Sequence, residues 1–163
     1  MSQPSPSQPN EHNFGSSEER KQLEIHRQTV HALQDELKPG IKQQTTTDKL
    51  ITNYIGDLEK IFVYLEDLMT RFNMVLLSNP KAFPNFDAFA GLIGEAKNGI
   101  KKAMKPLNKA MKNLELIKKL ENDIKAFDSI DTIQGQFIDN LDQCREILKE
   151  VERQLTDAQV YIV

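Results

Sequence analysis

The stretch that decides the fold is ITNYIGDLEKIFVYLEDLMTRFNMV, residues 51–75. Its apolar residues follow one another at alternating steps of three and four, and they are Ile51, Tyr54, Leu58, Ile61, Leu65, Leu68, Phe72 and Val75. A second row flanks the first and consists of Ile55, Phe62, Met69 and Leu76. Three apolar positions in every seven are typical of a helix buried in a bundle, whereas a two-stranded coiled coil needs only two. The stretch therefore predicts a central core helix.

Three other segments show the same periodicity and complete the predicted fold. The four predicted helices span about residues 16–38, 47–77, 85–127 and 129–162. Ser16 and Glu19 form a capping box at the start of the first helix. Pro106, inside the third helix, is expected to kink that helix and not to break it. We predict an all-α, elongated, up-and-down four-helix bundle with three long helices and a shorter N-terminal one.

Residues 1–15 differ from the rest of the chain because they are mostly Ser, Pro, Gln and Asn. We predict a disordered tail over residues 1–15 and a single helical-bundle domain over residues 16–163. The start lacks the basic region and the apolar run of a secretory signal, and no run of eighteen apolar residues could span a membrane. The expected location is cytoplasmic, and the sequence leaves secretion by a non-classical route open.

No residue pattern in the chain indicates a catalytic or metal site. His26 and His31 are five residues apart, about 140° around a helix, so they cannot bind one metal ion as an i, i+4 pair does. His26 falls on the seam of the first helix, where a partly buried side chain is expected. Cys144 falls on the apolar stripe of the last helix, which is typical of a buried side chain and not of a nucleophile. The expectation is a protein that is not an enzyme, with no catalytic residue, no cofactor and no metal.

Charge is unevenly distributed along the second half of the chain. Residues 97–125 contain nine lysines against three acids, a balance of +6, and residues 128–163 contain eight acids against three basic residues, a balance of -5. Opposite charges on consecutive helices favour their antiparallel pairing. Five lysines form a row away from the apolar stripe, namely Lys97, Lys101, Lys105, Lys109 and Lys112. We predict that this row binds an acidic partner or an anionic surface, unless the acids of the fourth helix pair with it.

The leading functional hypothesis is a non-catalytic protein–protein interaction module, an adaptor, assembly subunit or regulator that binds protein partners through helical faces. A peripheral membrane-binding protein is the first alternative, because residues 85–112 resemble a cationic amphipathic peptide that lies on an anionic membrane surface. Phe83, Phe86 and Phe89 would then be its apolar anchors. The row contains no arginine and no interleaved aromatic residue, which disfavours nucleic acid as a partner.

A second alternative comes from the last helix. Glu146, Glu150 and Glu152, shortly before a hydrophobic end, resemble the glutamate-rich tail signal of some bacterial type IV secretion effectors. This resemblance covers only the last part of the chain and implies a secreted bacterial effector that acts on a host protein. The identity of the partner and the formation of homo-oligomers are left open by the sequence.

Overall fold

A computed structural model of the chain describes residues 13–37, 46–80, 85–121, 123, 125 and 127–162. Nearly all of these residues lie in four α-helices, which are α1 (Glu18–Glu36), α2 (Thr46–Leu76), α3 (Phe86–Leu120) and α4 (Phe127–Gln159). Across these ranges the sole β-type pairing is an isolated bridge between Pro80 and Ile162. The predicted all-α bundle is confirmed.

The predicted central helix is α2, and it supplies much of the core. Eleven of its residues are buried, among them Leu58 and Leu65, which are fully buried, and Phe72, which is 1% exposed. Tyr54 stacks on Phe137 of α4 with 4.1 Å between the ring centroids. Because the buried positions recur every three or four residues, one face of α2 contacts the other helices along its whole length.

The helices alternate in direction, as predicted. Tyr64 of α2 donates a hydrogen bond to the Leu148 carbonyl of α4 at 3.5 Å. Further along both helices, Arg71 donates a hydrogen bond to the Thr156 hydroxyl, so α2 and α4 are parallel. By the same argument α3 and α4 are antiparallel, because Asn113 contacts Gln136 whereas Gly99 contacts Val151. The α3–α4 contact is the most extensive one, and α1 packs mainly against α2 and α3.

Helix α3 runs through Pro106 without a break, and the proline ring is buried. It ends at Leu120, so the predicted end near residue 127 is wrong. The Asp123 carboxylate accepts a hydrogen bond from the backbone N–H of Lys125 at 3.0 Å. This hydrogen bond gives the backbone a partner outside a helix. Helix α4 begins earlier than the predicted residue 129 and ends before residue 162.

The start of α1 differs from the prediction by one residue. Ser17, and not Ser16, is the N-cap, and its hydroxyl accepts a hydrogen bond from the backbone N–H of Arg20 at 3.3 Å. The predicted capping box between Ser16 and Glu19 is therefore wrong, because the residue three positions after the true cap is an arginine.

Phe14 belongs to the core, although it was predicted to lie in the tail because its neighbours in the sequence are mostly polar. Its side chain is fully buried and packs edge-to-face on Phe72 with 5.0 Å between the ring centroids. Its backbone N–H donates a hydrogen bond to Asn73 Oδ1 at 2.9 Å. The predicted tail boundary at residue 15 is wrong for this reason, and residues 1–12 lie outside the described residues.

Candidate functional site

The outer face of α3 presents lysines to solvent. Four lysines of the predicted row are exposed, namely Lys101, Lys105, Lys109 and Lys112. The fifth, Lys97, is half-buried and interacts with another residue. For the four exposed lysines, no carboxylate among the described residues lies within 4.0 Å of Nζ. The four side chains therefore point outward without an intramolecular ion pair in the part of the chain that the structure describes.

The core explains why these lysines face outward. The apolar residues of α3 form the buried stripe, and those with no exposed surface are Ala96, Ile100, Ala103, Leu107, Ala110, Leu114 and Ile117. Because a helix turns about 100° per residue, burial of this stripe leaves the lysines on the opposite side. Lys101 and Lys112 are about 16 Å apart along the helix axis at a rise of about 1.5 Å per residue.

Lys102 belongs to the same surface, although the predicted row omits it. It is exposed, and no carboxylate among the described residues lies within 4.0 Å of its Nζ. It could have been found from spacing, because Lys102, Lys105, Lys109 and Lys112 follow one another at steps of three, four and three. We define the α3 lysine face as Lys101, Lys102, Lys105, Lys109 and Lys112.

The contact between α3 and α4 does not use these lysines. Asn113 Nδ2 donates a hydrogen bond to Gln136 Oε1 at 3.3 Å, and Asn140 Nδ2 donates one to Asn113 Oδ1 at 2.8 Å. On α4, Asp142 pairs with Arg145 and Glu150 with Arg153, both within the same helix. The alternative that the acids of α4 neutralise the row is therefore not seen for the exposed lysines in the described part of the chain.

An open groove runs between α3 and α4 beside the lysine face. A cavity of about 470 Å³ is lined at one end by Lys109, Lys112 and Asp139 together with the amide side chains. A second cavity of about 580 Å³ is lined further along by Lys102 and Glu146. Basic and acidic side chains thus border the same groove from opposite helices.

The apolar side chains of residues 85–112 face inward. Phe89 is 5% exposed and belongs to the core, Phe86 is half-exposed at the start of α3, and Phe83 lies outside the described residues. Of the three predicted membrane anchors, Phe86 is therefore the one that the structure places at the surface.

Two histidines, His26 and His31, lie among the described residues, and both contact neighbouring side chains. His26 is half-buried, its Nε2 lies 2.6 Å from Asn108 Oδ1, and its ring stacks on Phe62. This confirms the predicted position on the seam of the first helix. His31 is exposed on the same helix, 3.7 Å from an Asp35 carboxylate oxygen.

Cys144 is fully buried, and burial raises the pKa of its thiol from the ordinary value of 9.0 to about 12. A thiol with this pKa stays protonated near neutral pH, so Cys144 is a core residue, as predicted. In the described ranges, no group of three or more His, Cys, Asp and Glu side chains could hold a metal ion.

Comparison with known proteins gives no match to any family model, curated protein or solved structure. None of the helices in the described ranges combines the length and the apolar character that a membrane span needs.

Proposed function

We propose that this chain is a non-catalytic protein–protein interaction module that binds an acidic surface of a partner protein through the α3 lysine face. The observation that supports the proposal is the exposure of these five lysines without an ion pair to any described carboxylate. By contrast, two arginines join one helix to another, because Arg27 of α1 pairs with Glu66 of α2 and Arg71 of α2 pairs with Glu152 of α4.

A packed helix is a suitable support for such a surface. The backbone of α3 is held by its buried stripe, so the lysines are arranged before a partner arrives. Individual exposed ion pairs contribute only about 0–1 kcal/mol. At 0.1 M salt the Debye length is about 10 Å, so exposed charges that are further apart than this hardly interact. The proposal therefore implies an association that is fast and strongly weakened by salt.

A membrane surface is the second candidate, and the position of Phe86 is what favours it. A peripheral amphipathic helix inserts its apolar face among lipids, yet here that face is occupied by the core contacts of α3. Insertion would require the bundle to open. We therefore propose an acidic protein partner in preference to a membrane surface. We also propose the cytoplasmic location that is expected from the sequence, and cell fractionation tests it.

The test replaces Lys101, Lys105 and Lys109 with Glu and uses poly-L-glutamate as the acidic probe. At 50 mM NaCl, fluorescence anisotropy should show at least tenfold weaker binding of this variant than of the wild-type chain. The matched control reverses the exposed lysines Lys21, Lys49 and Lys60, which gives the same net charge, and should bind like the wild type.

Two further measurements separate the alternatives. Melting curves of both variants should lie within a few degrees of the wild type if the lysine face is a binding surface. A variant that melts several degrees lower and still binds the probe would assign the lysines to the fold. Co-sedimentation with vesicles containing phosphatidylserine, without binding to poly-L-glutamate, would favour the membrane candidate instead.

A further inference from the structure

Six exposed charged side chains border the groove between α3 and α4 without an ion pair to a described residue. Lys112 and Glu95 of α3 are two of them, and the other four are Lys102 and Lys109 on α3 and Asp139 and Glu146 on α4. Among the described residues, none of the six has an oppositely charged group within 4.0 Å. The groove thus presents unpaired charges of both signs on one side of the molecule.

Four of these charges have matching spacing. Lys102 and Lys109 are seven residues apart, and so are Asp139 and Glu146, which is about 10.5 Å along each helix axis. Lys102 lines the same cavity as Glu146, and Lys109 lines the same cavity as Asp139, so each lysine lies level with one acid. The two rows are therefore equal in length and in register across the groove.

We infer that the partner of this face is a second copy of the chain. A two-fold axis that runs along the groove places α3 of each copy on α4 of the other without a shift along the helices. Lys102 and Lys109 of each copy then face Glu146 and Asp139 of the other. This inference rests on the proposed function, because it names the partner of the same lysine face.

The remaining groove residues suit such a contact. Asn113, Gln136 and Asn140 lie beside the proposed axis, and amide side chains can donate and accept hydrogen bonds with the amide side chains of the facing helix in the other copy. Ile147 lines the other cavity and adds a small apolar area. Because charge dominates and apolar area is small, the dimer is expected at low salt and not at high salt.

Sedimentation-velocity centrifugation of the full chain at 100 µM tests the inference. The wild type should have twice the chain mass of 18.7 kDa at 50 mM NaCl and the mass of a monomer at 500 mM NaCl. A wild type that is monomeric at 50 mM NaCl overturns the inference. Retained binding of poly-L-glutamate by that monomer would show that self-association alone has failed and that the proposed function stands.

A charge exchange gives the sharper test. One variant has Lys102→Glu and Lys109→Glu, and the other has Asp139→Lys and Glu146→Lys. Each alone should be monomeric at 50 mM NaCl because equal charges then face each other across the axis. An equimolar mixture should recover the dimer, since acidic α3 meets basic α4 and basic α3 meets acidic α4.

The controls address folding and net charge. Circular dichroism checks that both variants are helical and melt as folded chains before they are mixed. A variant with Lys21→Glu and Lys60→Glu has the same net charge as the first variant and should remain dimeric, because neither lysine borders the groove. A mixture of folded variants that stays monomeric contradicts the proposed dimer.

Discussion

Gly99 on α3 lies so close to Val151 on α4 that a Cβ atom added at Gly99 would overlap Val151 Cγ2. Val151 is fully buried, and a β-branched side chain has little rotational freedom with which to move aside. Ala96, Ala103 and Ala110 are fully buried on the same helix, three, four and eleven residues from Gly99. Small side chains thus allow α3 and α4 to approach each other closely, which agrees with their contact being the most extensive in the bundle.

Replacement of Gly99 with Ala should lower the free energy of unfolding. Overpacking against Val151 costs about 1–3 kcal/mol, whereas the gain in helix propensity offsets about 1 kcal/mol. Gly91→Ala and Gly94→Ala are the matched controls and should stabilise the chain by about 0.5–1 kcal/mol, because open space surrounds both positions. Urea denaturation gives the three values, and equal gains for all three variants would contradict the close approach.

Replacement of Leu58, Leu65 or Phe72 of the central helix α2 with Ala should destabilise the chain strongly. Each side chain is at most 1% exposed, so replacement with Ala leaves a cavity and should cost about 2–5 kcal/mol. Val63→Ala is the control, because Val63 is 66% exposed on the same helix and should change stability by less than about 0.5 kcal/mol. Circular dichroism melts that show no loss for all three core variants would refute the assignment.

Among single substitutions outside the four helices, Phe14→Ala should be one of those that lower the free energy of unfolding most. The lost packing against Phe72 predicts a decrease of about 3–5 kcal/mol in the free energy of unfolding. Phe86→Ala removes the same ring from a half-exposed position and should cost much less. If the two variants unfold at the same urea concentration, Phe14 does not contribute to the core as described.

Helix α1 should be the least firmly held helix. It buries Leu23, Val30 and Leu33, far fewer residues than α2 buries, and its other contacts to α2 and α3 are largely polar. In hydrogen exchange, amides of residues 20–37 should therefore lose protection before those of residues 51–76. Equal or greater protection in α1 would show that it opens only with the whole bundle.

The buried thiol of Cys144 predicts how stability changes at high pH. Its pKa is raised in the folded chain from 9.0 to about 12, so folding favours the protonated thiol. This contribution is fully present below pH 9 and is lost as the pH rises toward 12, because the unfolded chain ionises first. The stability difference between the wild type and Cys144→Ala should be constant from pH 7 to 8.5 and shift against the wild type from pH 9.5 to 11. A difference that does not change with pH would contradict the raised pKa.

The sequence predicted the helices because their apolar periodicity depends on local geometry. A stripe such as that of residues 51–75 fixes which side of a helix is buried, whatever the neighbouring helices are. The same argument placed Lys101, Lys105, Lys109 and Lys112 on the outer side of α3, where they are exposed. Cys144 and His26 also lie as predicted, because both fall on a buried or half-buried seam.

Local signals misplaced residues whose position depends on distant partners. Phe14 stands among polar residues in the sequence, and only its contact with Phe72 places it in the core. The helical pattern of the sequence continues beyond Leu120, yet α3 ends there, and the Asp123 carboxylate accepts a hydrogen bond from the backbone N–H of Lys125.

The sequence by itself determined the helical class, the core stripes and the alternation of helix direction, because each follows from periodicity, chain length or net charge of a segment. Only the tertiary structure decided which charges remain unpaired. Lys102 and Glu146 are far apart in sequence yet border one groove, and the separation of α3 and α4 depends on how Gly99 meets Val151. Pairing across helices depends on distances between side chains of different elements, and these distances are set only when the whole core has packed.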